Sequence, residues 1–127
     1  MAKKKGKLDS LDISFAQPGD EKIIADLIAA LAEYEKAPEQ NISTPEMVRE
    51  QIFAQPPAAE VLIARLDGDP VAFALFFPNF STWLCRPGMY LEDLFVVPEH
   101  RNKGIAKALM NCLAKLCVER GYGRFEW

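Results

Sequence analysis

One stretch of the chain constrains the fold more than any other: residues 89–110 pass from a hydrophobic segment, through a short polar turn, into an amphipathic pattern. Residues 91–97 are apolar and β-prone apart from two adjacent carboxylates, which predicts a buried central strand. Pro98 ends this strand. Apolar residues then recur at three- and four-residue steps, which predicts a helix over residues 104–120 that Gly121 stops.

The turn Arg101-Asn102-Lys103-Gly104-Ile105-Ala106 predicts anion binding. The N-terminus of a helix presents backbone N–H groups without intrahelical partners, and the helix dipole attracts negative charge there. Gly104 lets a ligand approach the backbone, and Arg101 and Lys103 add positive charge. A pyrophosphate fits this arrangement, although the spacing alone leaves open a solvated turn that contains a convenient glycine. The chain has neither a Walker nor a Rossmann glycine pattern, which favours a third kind of phosphate cradle.

The rest of the chain adds further predicted elements. They are a strand at 11–16, a helix at 21–34 capped by Asp20, a helix capped by Thr44 that runs from Pro45 to about Phe53, strands at 60–66 and 70–77 joined by a tight turn at Asp67-Gly68, a longer connection at 78–87, and the start of a strand at 124–127. This order predicts a mixed α/β sheet. The aromatic residues of the connection, Phe80 and Trp83, either wall a substrate pocket or cover the sheet edge.

Length and charge limit the classes of function. With 127 residues, half of them hydrophobic, we expect one domain over residues 11–127, preceded by a flexible basic tail at residues 1–10. A nucleic-acid-binding arm is the alternative interpretation of that tail. The net charge of −3 gives no electrostatic case for nucleic acid or acidic membranes. No apolar run is long enough to span a bilayer, so we expect no membrane association.

The three cysteines form neither a CxxC motif nor a paired framework, which indicates reduced thiols in a cytoplasmic protein. His100 is the chain's single histidine, so we expect no metal site. It also lacks a serine or cysteine partner in a recognisable nucleophile motif, which favours direct transfer chemistry without an acyl-enzyme.

Two segments carry a family resemblance. Arg101-x-x-Gly104-x-Ala106 after a strand resembles the acyl-CoA pyrophosphate loop of the GNAT N-acetyltransferases. Tyr90-Leu-Glu-Asp-Leu-Phe-Val and Leu31-Ala-Glu-Tyr-Glu-Lys are similar to the diamine (spermidine/spermine) acetyltransferase branch. The resemblance covers residues 13–127 and implies a mixed, mostly antiparallel central sheet flanked by helices, acetyl-CoA as co-substrate, and a homodimer.

The resemblance also implies the cofactor site. Backbone N–H groups freed by splaying of the central strand, together with the loop, are expected to hold acetyl-CoA. The residues concerned are Leu94, Phe95, Val96, Arg101, Asn102, Lys103, Gly104, Ile105, Ala106 and Lys107.

On the amine side, the resemblance implies that Glu92 accepts the substrate proton through water and attracts the cation, and that Tyr34 and Glu35 line the amine pocket. The residues alone allow another interpretation, in which Tyr34 completes the apolar stripe of its helix and Glu35 is solvated. Glu92 and Asp93 point to opposite faces of the strand unless a bulge intervenes. We expect Asp93 to be a structural hydrogen-bond acceptor.

The implied function is transfer of acetyl from acetyl-CoA directly to a primary amine of a small cationic, polyamine-like or diamine-like substrate. The acidic residue that polyamine enzymes carry just before their loop tryptophan is replaced here by Ser81 or Thr82, so a thialysine-like amino acid is an alternative substrate. A non-catalytic acyl-CoA-binding regulatory module is the alternative of another class.

GNAT enzymes continue with a further helix and two strands, whereas this chain ends at Trp127. We therefore expect the C-terminal part of the fold to be missing, and with it the tyrosine that serves the diamine branch as general acid. A portion of a longer enzyme is the favoured interpretation, and a member completed by a partner chain is the alternative.

Overall fold

A computed structural model describes residues 10–127, so nearly all of the predicted basic tail, residues 1–10, lies outside the described residues. The helices and strands are β1 (Leu11–Phe15), α1 (Glu21–Tyr34), α2 (Pro45–Ile52), β2 (Glu60–Leu66), β3 (Asp69–Ser81), β4 (Arg86–Val96), α3 (Ile105–Arg120) and β5 (Phe125–Glu126). Single 3₁₀ turns lie at Pro38–Gln40 and Pro98–His100. The described part of the chain contains no helix that is long and apolar enough to cross a membrane.

The five strands form a sheet in sequence order, β1-β2-β3-β4-β5. The pairs β1–β2, β2–β3 and β3–β4 are antiparallel, and β5 runs parallel to β4. Asp67 and Gly68 connect β2 to β3 with φ angles of 54° and 89°, the positive values that a two-residue hairpin turn requires. The predicted mixed, mostly antiparallel sheet is therefore confirmed.

Each face of the sheet carries its own hydrophobic core, because successive strand residues point to opposite sides. The α1 face is covered by α1 and α2, and its buried residues are Ile24, Leu27, Val48, Val61, Ile63, Phe73 and Phe95. The α3 face is covered by α3, and its buried residues include Leu62, Ala64, Ala74, Phe76, Leu91, Val96, Ile105, Leu109 and Leu113. The central strand β4 contributes to both cores, which fixes its position between the helices.

The two N-terminal helices begin in different ways. The Thr44 hydroxyl accepts a hydrogen bond of 3.1 Å from the Met47 N–H, so the predicted cap of α2 is confirmed. Asp20 occupies the cap position of α1, but its side chain does not cap the helix. Its carboxylate accepts instead from the Gln17 N–H at 2.9 Å and from the Arg65 guanidinium at 3.2 Å. The Asp20 side chain thus forms an ion pair with Arg65 of β2, although the local sequence predicted that it caps α1.

The predicted connection at residues 78–87 is wrong. Strands β3 and β4 continue through most of it as a long hairpin. The first residue of β2, Glu60, pairs with Phe76, and β2 does not extend further along β3. Pro78 therefore breaks no ladder hydrogen bond on the β2 side. Trp83, at the hairpin tip, is 96% exposed and therefore neither walls a pocket nor covers the sheet edge.

Candidate active site

Strand β4 is paired differently along its two halves. Met89 and Tyr90 pair with β3 on one side and with Phe125 and Glu126 of β5 on the other. Beyond Tyr90, β4 has no strand on the β5 side among the described residues. Backbone N–H and C=O groups alternate between the two edges of a strand, so residues 91–96 present polar backbone groups toward this opening. β5 ends one residue before the last residue, Trp127, so the splaying of β4 stays a prediction.

A β-bulge lies at Glu92. Leu75 of β3 pairs with Asp93, but the next residue of β3, Phe76, pairs with Leu91, so Glu92 has no cross-strand partner. A bulge inserts one residue and reverses the alternation of faces that follows it. Leu91 and Val96 thus both pack on the α3 face. They are five positions apart, and in a regular strand residues at that spacing point to opposite faces.

The opening leads to the N-terminus of α3. Gly104 occupies the cap position in the left-handed region with φ of 83°, and it supplies no side chain to cap the helix. The first-turn N–H groups of Ile105, Ala106 and Lys107 precede the first intrahelical bond, in which the Ala108 N–H donates to the Gly104 carbonyl at 3.0 Å. This helix end therefore suits an anion.

A cleft of about 430 Å³ lies between the open half of β4 and this helix end. Its lining residues are Leu94, Val96, His100, Arg101, Asn102, Gly104, Ile105, Ala106 and Lys107. Every predicted cofactor residue lines the cleft except Phe95, which the bulge turns toward the α1 face, and Lys103, whose Nζ lies 2.9 Å from His100 Nδ1. His100 also lines the cleft but was not among the predicted cofactor residues. Its position directly before the loop could have indicated this.

The Arg101 side chain contacts the end of β4 and the last residue of α1. Its Nε donates to the Val96 carbonyl at 3.0 Å, and its guanidinium carbon lies 4.1 Å from the centroid of the Tyr34 ring. Tyr34 is 54% exposed, so it does not complete the buried stripe of α1. Its ring packs instead on Phe95, with a centroid distance of 6.0 Å.

A second, smaller cavity of about 240 Å³ lies on the α1 face at the end of α1. Its lining residues are Ile28, Leu31, Ala32, Glu35, Ala37, Gln40, Asn41 and Asp93. The structure thus brings the predicted substrate residue Glu35 together with Asp93, which was expected to be structural. The bulge explains the difference, because it directs Asp93 toward the α1 face.

Two carboxylates, those of Glu35 and Asp93, line this second cavity, and Glu92 is close enough to Asp93 to affect its pKa. Burial of Asp93 raises the pKa of its carboxyl group, and the neighbouring negative charges of Glu92 and Glu35 raise it further. Glu92 itself is exposed at the bulge. A cationic group entering the cavity would relieve the repulsion between these carboxylates and leave the proton of Asp93 easier to remove.

The geometry therefore combines two complementary binding regions at the open half of one strand. A helix end whose free N–H groups suit an anion lies toward the α3 face, and a carboxylate-lined cavity lies on the α1 face. Among residues 10–127, no group of three or more His, Cys, Asp or Glu side chains is arranged to hold a metal ion.

Comparisons with known proteins agree with this geometry. Residues 26–127 match the sequence model described as Acetyltransferase (GNAT) family. The chain is 33% identical over 125 residues to the thialysine N-epsilon-acetyltransferase of Sus scrofa, a match covering 92% of this chain and 73% of that protein. It is 46% identical over 55 residues to the L-ornithine N5-acetyltransferase NATA1 of Arabidopsis thaliana, covering 43% of this chain and 24% of that protein.

Among solved structures, the chain resembles a ribosomal-protein-alanine N-acetyltransferase from Brucella melitensis biovar Abortus 2308. The TM-score is 0.76 at 29% sequence identity, and the match covers 91% of this chain and 78% of the other. The sequence model, the relatives and the fold all indicate the same family. The chain belongs to the GNAT family of acetyl-CoA-dependent N-acetyltransferases.

Proposed function

We propose that this protein transfers the acetyl group of acetyl-CoA directly to a primary amine of a small cationic substrate. The observation that carries the proposal is the position of the open half of β4 between an anion-binding cleft and a carboxylate-lined cavity. A thioester bound along the strand edge and an amine bound in the cavity would meet near the bulge at Glu92.

The residues of the cleft fit acetyl-CoA. The first-turn N–H groups of Ile105, Ala106 and Lys107 suit the pyrophosphate, and Gly104 and Ala106 leave the approach open. The open edge of β4 supplies backbone groups for the amides of the pantetheine arm and for the thioester oxygen. Acetyl-CoA supplies an activated acyl group, and the chain supplies its orientation.

The carboxylates are suited to the proton transfer. An amine attacks only as a free base, so its ammonium form must first lose a proton to the protein or to water. Glu92 is exposed at the bulge and is proposed to accept this proton through water. The amine nitrogen then bonds to the thioester carbonyl carbon, the carbon–sulfur bond breaks, and CoA leaves as a thiol after taking up a proton.

The positions of the cysteines support direct transfer. Cys117 is buried with its sulfur 3.8 Å from the Met89 sulfur, and Cys85 lies exposed in the turn between β3 and β4. Neither these two nor Cys112 lines the cleft or the cavity. No cysteine is therefore placed to carry the acetyl group between the two substrates.

The substrate class is proposed from the relatives and from the cavity. Two relatives are named for thialysine and for ornithine, which supports an amine at the end of an amino-acid side chain. A polyamine or diamine, which the sequence resemblance placed first, carries the same terminal ammonium and is the second candidate. In both cases the Glu35 and Asp93 carboxylates would face the cation.

A panel assay tests this proposal. Purified protein is mixed with acetyl-CoA and L-thialysine, L-ornithine, spermidine or putrescine, and the released CoA thiol is measured. Thialysine that is already acetylated on its side-chain amine is the blocked control. We expect release with at least one primary amine and none with the blocked one. Saturable acetyl-CoA binding without release for any amine would favour a regulatory binding module and overturn the proposal.

The proposed assembly follows from the family resemblance, and the proposed location from three cysteines that form neither a CxxC motif nor a paired framework. We propose a cytoplasmic homodimer, and light scattering on the purified protein would test the dimer directly.

A further inference from the structure

The cavity on the α1 face is lined by two side-chain carboxamides as well as by two carboxylates. The carboxamides belong to Gln40, the last residue of the 3₁₀ turn Pro38–Gln40, and to Asn41, which follows it. A carboxylate accepts hydrogen bonds and repels anions, whereas a carboxamide has N–H donors as well as an acceptor oxygen. The carboxamides are therefore the lining side chains that can donate to an anionic group.

The Asn41 carboxamide is held in one orientation by Ser43. Its Oδ1 accepts from the Ser43 N–H at 3.1 Å and from the Ser43 hydroxyl at 2.6 Å. A backbone N–H can only donate, so the side-chain atom that faces it must be the oxygen. Because both lone pairs of this oxygen are engaged, the carboxamide can offer a ligand only the N–H groups of Nδ2. Asn41 is thus a donor that is already oriented before a ligand binds.

The backbone around Asn41 does not supply an equivalent donor. The N–H groups of residues 35–37 and 40–41 all donate to carbonyls within residues 31–38, over distances of 2.9 to 3.2 Å. The Gln40 side chain is exposed, whereas Asn41 is half-buried. An oriented, partly shielded donor loses less entropy on binding than a mobile one. Asn41 is therefore the group in this cavity that is best suited to bind an anionic group.

The two candidate substrate classes differ in one group that such a donor can distinguish. An amino acid with a side-chain amine carries a carboxylate and two ammonium groups, whereas the corresponding diamine carries the ammonium groups alone. Glu35 and Asp93 suit the ammonium groups of both classes, and Ile28 and Leu31 give an apolar wall for the methylene chain. A substrate carboxylate would be repelled by the two protein carboxylates unless a donor offsets that repulsion.

We propose that Asn41 is a specificity-determining residue: its Nδ2 donates to the α-carboxylate of the substrate, so the cavity takes an amino acid with a terminal side-chain amine in preference to a diamine. This inference rests on the proposed function for the use of the cavity as the amine site. The reacting amine then lies toward Asp93, next to the bulge at Glu92, and the α-carboxylate lies toward the 3₁₀ turn.

Two ligand pairs test this assignment, because the members of each pair differ only in the α-carboxylate. They are L-ornithine with putrescine and L-lysine with cadaverine. Their Kd values are measured by calorimetry in the presence of CoA, which carries no acetyl group, so no transfer takes place. We expect the wild type to bind each amino acid more tightly than the diamine of the same pair.

Asn41→Asp is the most informative variant, because it keeps an oxygen that accepts from the Ser43 N–H but replaces the donor nitrogen by a second carboxylate oxygen. The Kd of L-ornithine should rise by about tenfold or more, the scale of a lost hydrogen bond to a charged group. The Kd of putrescine should not rise. Asn41→Ser also keeps an acceptor for the turn but loses the amide N–H groups, so it should give a smaller shift in the same direction.

Gln40→Glu is the matched control, since it adds the same charge to the same cavity. Its effect on the Kd of L-ornithine should stay below about threefold, because Gln40 is exposed and its charge is screened by solvent and salt.

Three results would overturn the inference. The first is a wild type that binds each diamine at least as tightly as the paired amino acid. The second is an equal rise of the L-ornithine and putrescine Kd values in the Asn41 variants, since the residue would then not distinguish them. The third is an equal loss in Gln40→Glu and Asn41→Asp, which would make the effect one of overall charge. If the amino acids bind as expected but none is acetylated, the proposed function fails and the assignment of Asn41 stands.

Discussion

The two halves of β4 belong to one strand but differ in their pairing and in what they border. The first half lies between β3 and β5, and Gly88 there approaches Asn79 and Arg124 so closely that a single added carbon would collide with both. The second half is paired on one side, carries the bulge at Glu92, and borders the cleft and the cavity. One half thus pairs with a strand on each side, and the other borders the two proposed binding regions.

This difference separates the part of β4 that packs between two strands from the part that borders the cleft and the cavity. Buried backbone groups must find partners, and pairing with β3 satisfies one edge of β4 along both halves. Here β3 supplies full pairing on one side, and the core on each face supplies the hydrophobic stabilisation. Changes in the open half should therefore affect binding and catalysis, and changes in the paired half should affect stability.

The largest expected effect is at the helix end that borders the open half. Gly104→Glu places a side chain and a negative charge beside the proposed pyrophosphate position, so acetyl-CoA binding should fall below detection in calorimetry. The substitution also costs about 1–2 kcal/mol of stability because the residue has a positive φ.

Gly68→Glu is the matched control for that prediction. Gly68 has a similar φ of 89° but lies in the turn between β2 and β3, with open space where a side chain would go. It should lose the same stability and keep full acetyl-CoA affinity. Equal acetyl-CoA affinity in the two variants would contradict the assignment of the cleft.

The second effect concerns catalysis in the open half. Glu92→Gln removes the proposed proton acceptor at the bulge, so turnover should fall by roughly 10²-fold, the lower range for a general base. The Kd of acetyl-CoA should stay near that of the wild type, because the change lies outside the cleft. Glu50→Gln, an exposed residue of α2, is the control for loss of one charge. Unchanged turnover of Glu92→Gln across the pH range would remove Glu92 from the mechanism.

The third effect tests the paired half. In Gly88→Ala the new carbon would lie 2.7 Å from Asn79 Oδ1 and 2.9 Å from the Arg124 carbonyl oxygen, so the backbone must shift. We expect a loss of about 1–3 kcal/mol in the free energy of unfolding, measured with urea, and a normal acetyl-CoA Kd for the folded protein. In Gly123→Ala the nearest atom is the tip of the half-exposed Leu84 side chain at 3.0 Å, which can move, so that variant should lose less. A larger loss in Gly123→Ala would show that β5 packing is not what constrains Gly88.

Local signals in the sequence predicted most elements of the fold. The bounds of α1, the Thr44 cap, the Asp67-Gly68 turn and the left-handed Gly104 before α3 depend on residues close together in the chain. The same holds for the loop that lines the cleft, because a strand, a turn and a helix in succession determine where the helix end lies.

Contacts between distant segments were not predictable in this way. Pro78 indicated the end of a strand, but it lies within β3. A proline is possible there because β2 does not extend beyond Phe76 of β3. Asp93 was expected to be structural, and the bulge, a property of pairing with β3, places it in the cavity instead. The contact of Arg101 with Tyr34 was not predicted either, since nothing near Arg101 in sequence indicates that Tyr34 lies within reach.

The smallest expected effect is a pH dependence in the open half. The pKa of Asp93 is raised above its ordinary value of 3.8, chiefly by burial and then by Glu92 and Glu35. Between 3.8 and the raised value, the folded protein binds more protons than the unfolded chain, so the free energy of unfolding falls as pH rises through this window and levels off above it. Asp93→Asn removes that contribution. Because the residue is only half-buried, the variant should gain on the order of a few tenths of a kcal/mol relative to the wild type over the window. Urea titrations of both proteins at a series of pH values measure this difference directly. Parallel curves would mean that neither burial nor the neighbouring carboxylates raise the pKa of Asp93 in solution, and the cation-binding role of the cavity would lose its electrostatic basis.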